Sequence, residues 1–150
     1  MIRLNEMGQP ELKAWLIKMW ADYHDELIAA GETPEDAAKN IARNQELLFD
    51  GGEPAEGQYI FDVVSDEVTI GTLWLGKRSD QQWYVYDVVV NEEFRGKGFG
   101  RLTMQAAEDF AKSQNGTRLA LNVFGPNTIA RKLYGSMGYN EMAIAMYKDF

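Results

Sequence analysis

With 150 residues, of which 45% are hydrophobic and 12% aromatic, the chain predicts one folded domain, residues 1–150, large enough to bury a core. It has no cysteine and one histidine, which excludes disulfides, zinc–thiolate centres, a cysteine nucleophile and multi-histidine metal sites, so we expect no metal. An overall acidic chain without a signal-like start or a membrane-length apolar run predicts a cytoplasmic protein that binds neither nucleic acid nor membrane.

The net charge of −8 is unevenly distributed along the chain. Residues 1–94 carry 7 Lys/Arg and 19 Asp/Glu, whereas residues 95–150 carry 8 Lys/Arg and 4 Asp/Glu. The basic segment suits a polyanionic ligand, and the acidic segment suits either a cationic second substrate or a solvated surface.

Two helices are predicted in the first third of the chain. The first runs from about Gln9 to Ala30, because apolar residues recur there at helical spacing: Leu12, Trp15, Leu16, Met19, Trp20, Tyr23 and Leu27. The second is announced by Thr33 as its N-cap and Pro34 at its first position, and it ends before Asp50.

Strand and helix patterns follow one another from Gln58 onward. We predict strands at residues 59–64, 68–75, 84–90, 118–124 and 139–147, with helices at about 101–114 and 126–136. With a short strand at residues 2–5, the order is βααβββαβαβ. This order indicates a mixed α/β domain with a central sheet.

A glycine-rich hexamer, Arg-Gly-Lys-Gly-Phe-Gly at residues 95–100, separates the strand at 84–90 from the next helix. Such a turn directs several backbone N–H groups and a helix N-terminus at one point, and glycine lets a ligand approach the backbone. Arg95, Lys97 and Arg101 add positive charge. The hexamer therefore predicts a phosphate or pyrophosphate site, with a plain surface turn as the alternative. Its spacing is neither that of a P-loop nor that of a dinucleotide loop.

Two motifs carry a resemblance to a known family. Arg95, Gly98 and Gly100 form an Arg-x-x-Gly-x-Gly pattern that resembles the acyl-CoA loop of the GCN5-related N-acetyltransferase (GNAT) superfamily. Residues 119–139 are similar to the C-terminal motif of that family: a strand, then Asn127, Ala130-x-x-x-Tyr134 and Gly138-Tyr139. The resemblance covers residues 56–150 well, and a weaker likeness points to small bacterial members that are mostly uncharacterised.

The resemblance implies a single-domain GNAT-like fold whose fourth and fifth strands part near their ends. It implies acetyl-CoA as the co-substrate, with its pantetheine arm held by backbone groups of Val88, Val89 and Val90 in the gap. The N–H of Val88 would contact the oxyanion. The pyrophosphate would lie on the backbone of the loop residues Arg95, Gly96, Lys97, Gly98, Phe99, Gly100 and Arg101.

Two further residues match functional positions of the family. Tyr134 matches the tyrosine that lies near the CoA sulfur and protonates the leaving thiolate; the alternative is a tyrosine packed on the sheet with an exposed hydroxyl. Asn127 matches the asparagine that contacts the pantetheine arm or caps the helix. Tyr134 is therefore expected to be catalytic, and both residues are expected to contact the cofactor.

Asp87 is the predicted general base, because a carboxylate within an apolar strand is costly to bury unless it is paired or functional. Strand alternation places Asp87 with Val89 on one face and Tyr86 with Val88 on the other. The alternative is an acid that is hydrogen-bonded to a neighbouring loop. Other polar residues are assigned lesser roles: Asn122 could orient a water, His24 is a surface or interface residue, and Glu92-Glu93 is solvated turn charge.

The resemblance therefore implies an acetyl-CoA-dependent N-acetyltransferase. The acceptor, a small-molecule amine or an amine of a peptide or protein, would attack directly in a ternary complex. The alternative is a non-catalytic acyl-CoA sensor or structural subunit with the same fold, and a nucleotide-binding protein is a third reading. The sequence does not identify the acceptor, and a homodimer is left open.

Overall fold

The computed structural model describes residues 1–150, which fold around a five-stranded sheet in the order β1-β4-β5-β6-β7. The strands of this sheet are β1 (Ile2–Glu6), β4 (Gln58–Ser65), β5 (Val68–Lys77), β6 (Gln82–Val90) and β7 (Arg118–Leu121). The helices are α1 (Glu11–Ala29), α2 (Pro34–Leu48), α3 (Phe99–Ser113) and α4 (Thr128–Ser136). A short hairpin of two strands with two residues each, β2 (Phe49–Asp50) and β3 (Glu53–Pro54), follows α2.

Neighbouring strands of the sheet are antiparallel except for β6 and β7, which are parallel and joined through α3. The prediction of a mixed α/β domain with a central mixed sheet is confirmed. None of the helices is long and apolar enough to cross a bilayer.

A hydrophobic core lies on each face of the sheet. One core packs α3 against the sheet through Met104 and Ala107, which meet Leu73, Leu75 and Trp83. Burial of these side chains is the main force holding α3 in place, since each large apolar side chain contributes about 2 kcal/mol.

The opposite core holds α1 against the sheet and is largely aromatic. Trp74 of β5 lies at its centre, 4.6 Å from the ring of Tyr86 and 5.2 Å from that of Phe49. Leu12 and Met19 complete the buried stripe of α1, so the helical periodicity of the sequence is confirmed.

The start of α2 also follows the sequence signals. The Thr33 hydroxyl accepts a hydrogen bond from the Asp36 N–H at 3.2 Å, and Pro34 is the first helical residue. A cap of this kind stabilises a helix by about 1 kcal/mol.

Strands β6 and β7 pair over only four residues, from Gln82↔Arg118 to Val85↔Leu121. Strand β6 continues to Val90, whereas β7 ends at Leu121. The two strands therefore part after Val85, as the family fold implies for its fourth and fifth strands.

A β-bulge lies at the point where these strands part. Trp74 pairs with Asp87 and Leu75 pairs with Val85, so Tyr86 is the extra residue of β6. The predicted alternation placed Tyr86 on the face opposite to Asp87, and that prediction is wrong. Because the bulge inserts one residue, Tyr86 and Asp87 both lie on the α1 side of the sheet.

The predicted final strand at residues 139–147 is not formed, and this expectation is corrected. Gly138 turns the chain with φ +92° after α4, and Tyr139 is held by a 3.2 Å hydrogen bond to Glu108 of α3. Residues 140–150 are exposed, and a cavity of about 950 Å³ lies between residues 138–143 and β7. The segment has an alternating pattern, but it does not pair with β7, which remains the edge of the sheet.

Candidate active site

The glycine loop presents a run of free backbone donors. The six consecutive N–H groups from Gly96 to Arg101 have no hydrogen-bond acceptor within the protein, and the next N–H, of Leu102, donates to Gly98 O. The last three of these groups form the first turn of α3, where the helix dipole adds positive potential. The loop therefore forms a concentrated anion-binding surface of backbone amides.

Gly96 and Gly98 give the loop this shape. Their φ values are +74° and +86°, in the left-handed region that glycine occupies without strain. An added Cβ at either residue would meet nothing within 4 Å. The backbone at Gly96 and Gly98 is thus open to a ligand.

The basic side chains of the loop are partly anchored. The Nε of Arg95 donates to the carbonyl of Val90 at 2.9 Å, and a terminal nitrogen of Arg101 donates to the Ser136 hydroxyl at 2.6 Å. The Lys97 ammonium lies 5.9 Å from the ring centroid of Phe94. These contacts tie the loop to the end of β6 and to α4 while leaving all three charges at the surface.

Beyond Val85, β6 has no neighbouring strand on the β7 side, and this edge of β6 borders the gap. The Asn91 N–H donates to Ile70 O at 2.8 Å, and hydrogen-bonded positions alternate along an antiparallel ladder. The peptide groups of Val89 therefore face β5, where the Val89 carbonyl lies against Gly71. Those of Val88 and Val90 face the gap.

The three predicted contacts on β6 are therefore not equivalent. The N–H and carbonyl of Val88 are directed toward the gap, and the Val90 carbonyl is already bonded to Arg95. The structure does not bring the peptide groups of Val89 into the gap.

A cavity of about 200 Å³ opens between α1, the end of β6 and the start of α4. Asp87 and Tyr134, the two predicted catalytic side chains, both line it, together with Asn127 and Asn122. Two elements that are distant in sequence therefore contribute to one site.

Burial, together with the negative charges of Glu26 and Asp22, raises the pKa of Asp87 to about 7, against an opposing effect of Lys18. The Asp87 carboxylate has no ion-pair partner. A carboxyl group with such a pKa can both accept and release a proton near neutral pH.

Burial also raises the pKa of Tyr134, and the charge on Asp87 adds to the effect. The Tyr134 hydroxyl is therefore protonated at neutral pH and can act as a proton donor. Its ring lies 5.8 Å from that of Tyr139, which holds it at the edge of the cavity.

Asn127 is the N-cap of α4, since its side-chain oxygen accepts a hydrogen bond from the Ala130 N–H at 3.2 Å. The capping role is thus observed, and the side chain also borders the cavity. Three other polar residues do not line it: His24 lies 3.5 Å from Asp25 on α1, and Glu92-Glu93 forms an exposed helical turn.

Sequence reasoning missed several residues of the cavity. Glu26 and Tyr23 come from α1, and Arg78 comes from the loop between β5 and β6. Tyr23 does appear in the apolar stripe, where its contact with Phe124, at 6.4 Å between ring centroids, could not be foreseen. No local signal marks Glu26 or Arg78, because each is one charged residue among many.

A family model described as the acetyltransferase (GNAT) family matches residues 12–139. The chain belongs to the GNAT family. Two relatives are the uncharacterised N-acetyltransferases YycN and YdgE of Bacillus subtilis (strain 168), each 28% identical. The alignment with YycN covers 98% of this chain and 97% of YycN, and that with YdgE covers 97% and 96%. Both relatives are named as N-acetyltransferases, and both align with this GNAT protein over nearly their whole length.

Solved structures of GNAT proteins share the fold. The crystal structure of YycN from Bacillus subtilis matches with a TM-score of 0.89 at 29% identity, covering 100% of this chain and 99% of that one. The structure of AAC(6')-Iy in complex with the bisubstrate analogue CoA-S-monomethyl-acetylneamine matches with a TM-score of 0.58 at 16% identity, covering 100% and 99%. The second likeness concerns the fold alone.

Proposed function

We propose that this GNAT protein is an acetyl-CoA-dependent N-acetyltransferase that acts by direct attack of an amine in a ternary complex. The observation that carries the proposal is the run of six free N–H groups from Gly96 to Arg101, which lies beside the gap between β6 and β7. A diphosphate fits such a run because each oxygen can accept from a fixed donor without any side-chain rearrangement.

The open edge of β6 suits the pantetheine arm. Val88 directs both a donor and an acceptor toward the gap, so an amide-containing chain could bond there as an added strand would. Val88 lies next to Asp87, and its N–H is therefore the donor that we assign to the thioester carbonyl oxygen. Bound acetyl-CoA would supply the acetyl group and the thiol leaving group.

Asp87 is assigned as the general base. An acceptor amine is an ammonium ion at neutral pH and must lose a proton before its nitrogen becomes nucleophilic. The Asp87 carboxylate lies in the cavity without a cationic partner, and its pKa of about 7 suits removal of that proton. Charge repulsion from Glu26 helps to hold the pKa in this range.

Tyr134 is assigned as the proton donor to the departing thiolate. Its hydroxyl borders the same cavity, and burial keeps it protonated. Asn127 caps α4 and so fixes the helix on which Tyr134 lies, about two turns further along.

Two measurements on the purified protein test the function. Calorimetry with CoA and acetyl-CoA should show binding, and ATP or NAD should not displace either ligand. A thiol-release assay with acetyl-CoA and a panel of primary amines should show amine-dependent turnover, with the acetylated amine detected by mass spectrometry. Failure to bind CoA would refute the proposal, and tight binding without turnover on any amine would favour an acyl-CoA sensor.

A further inference from the structure

The charges in the cavity are arranged in two groups. Its charged lining residues are Glu26, Asp87 and Arg78. Glu26 of α1 and Asp87 of β6 both line the cavity, and the negative charge of Glu26 raises the pKa of Asp87. Arg78 has no ion-pair partner within 4.0 Å.

Arg78 is held in a defined orientation by two tyrosines. Its guanidinium carbon lies 3.5 Å from the ring centroid of Tyr84, and its Nε donates to the Tyr86 hydroxyl at 3.4 Å. The two rings are 4.7 Å apart. The terminal nitrogens of Arg78 have no acceptor in the protein, which leaves a planar pair of donors of the kind that binds a carboxylate.

The distance between the two ends follows from the strand. Arg78 lies over Tyr84, which pairs with Gly76, whereas Asp87 pairs with Trp74. Because Tyr86 is the bulged residue, Tyr84 and Asp87 are two ladder steps apart, about 7 Å along β6. An extended chain of five methylenes with an amine at one end and a carboxylate at the other spans a similar distance, about 7 Å.

We propose that the acceptor is zwitterionic: its amine lies at the Asp87 end of the cavity, and Arg78 binds a carboxylate several bonds away on the same molecule. The inference rests on the proposed function of this cavity and narrows its substrate class to amino acids with a separated amine and carboxylate. Arg78 is then the residue that determines specificity, and Glu26 favours the ammonium group at the other end.

Three acceptors of equal chain length test the inference: 6-aminohexanoate, hexylamine and 1,6-diaminohexane, each with acetyl-CoA. We expect kcat/KM for 6-aminohexanoate to exceed that for hexylamine about tenfold or more. Arg78→Ala should lower this ratio about tenfold, mainly through KM, and Arg78→Lys should lower it less. Lys77→Ala is the matched control, because Lys77, the last residue of β5, is an exposed cation next to Arg78 that pairs with Asp80 and does not line the cavity. The ratio for this variant should equal that of the wild type.

Direct binding separates this inference from the proposed function. Calorimetry with 6-aminohexanoate alone should show binding to the wild type that is weakened about tenfold in Arg78→Ala but not in Lys77→Ala. Binding with this pattern but without turnover would refute the acetyltransferase and leave the zwitterion site standing. Turnover of hexylamine or 1,6-diaminohexane at an efficiency equal to or above that of 6-aminohexanoate would overturn the zwitterion site alone.

Discussion

Replacing Asp87 with asparagine should inactivate the protein and stabilise it at the same time. The pKa of Asp87 rises from its usual 3.8 to about 7 on folding, so the folded state binds a proton more tightly than the unfolded chain. Stability is therefore lost as the pH rises from about 4 to 7, and the full cost of the buried charge is present above pH 7. The shift corresponds to about 4 kcal/mol as an upper limit, and partial solvent access reduces it to about 2 kcal/mol.

Urea denaturation at pH 5 and pH 8 measures this effect. Between pH 5 and pH 8 the wild type should lose stability through ionisation of Asp87, whereas Asp87→Asn should not, because asparagine cannot ionise. The stability advantage of the variant over the wild type should therefore be about 1 to 3 kcal/mol larger at pH 8 than at pH 5. In the same variant kcat/KM should fall about 10²- to 10⁴-fold and lose its inflection near pH 7. Asp109→Asn, at an exposed position on α3, is the control and should change neither quantity appreciably. A difference in stability that is independent of pH would refute the assignment of a desolvated, ionisable Asp87.

Three other substitutions test the remaining parts of the site. Tyr134→Phe should lower kcat about 10²-fold or more with little change in KM for acetyl-CoA, and unchanged turnover would exclude the hydroxyl as the proton donor. Gly98→Val should weaken CoA binding in calorimetry at least tenfold, because valine is strained at φ +86° and covers the backbone donors, whereas Gly125→Ala should bind normally. Glu26→Gln should move the inflection of the pH–rate profile to lower pH, since it removes a negative charge that raises the pKa of Asp87; a shift to higher pH would contradict that role.

The sequence by itself determines only local features of this protein. The stripe on α1, the cap at Thr33 and the glycine loop each depend on residues within a few turns of one another, where spacing and residue type fix the backbone. The cost of burying an acid in an apolar strand predicted a role for Asp87, and the resemblance to a known family predicted one for Tyr134; both residues line the same cavity.

Two sequence-based predictions are wrong because they depend on contacts between separate strands. The faces of β6 depend on a bulge at Tyr86, which exists only because β5 pairs with the strand in a shifted register. The alternating segment at residues 139–147 forms no strand, because alternation specifies a strand only when a neighbouring edge supplies hydrogen bonds and a buried face.

The chemistry of the cavity was decided by the tertiary structure. Asp87 gains its pKa of about 7 from burial and from Glu26, a residue 61 positions away on α1, and neither influence is encoded near Asp87. Arg78 is oriented by Tyr84 and Tyr86 only after the β5–β6 loop folds over them. Spacing along the chain fixes which backbone forms where, whereas desolvation and the distance between charges exist only once separate elements have packed together.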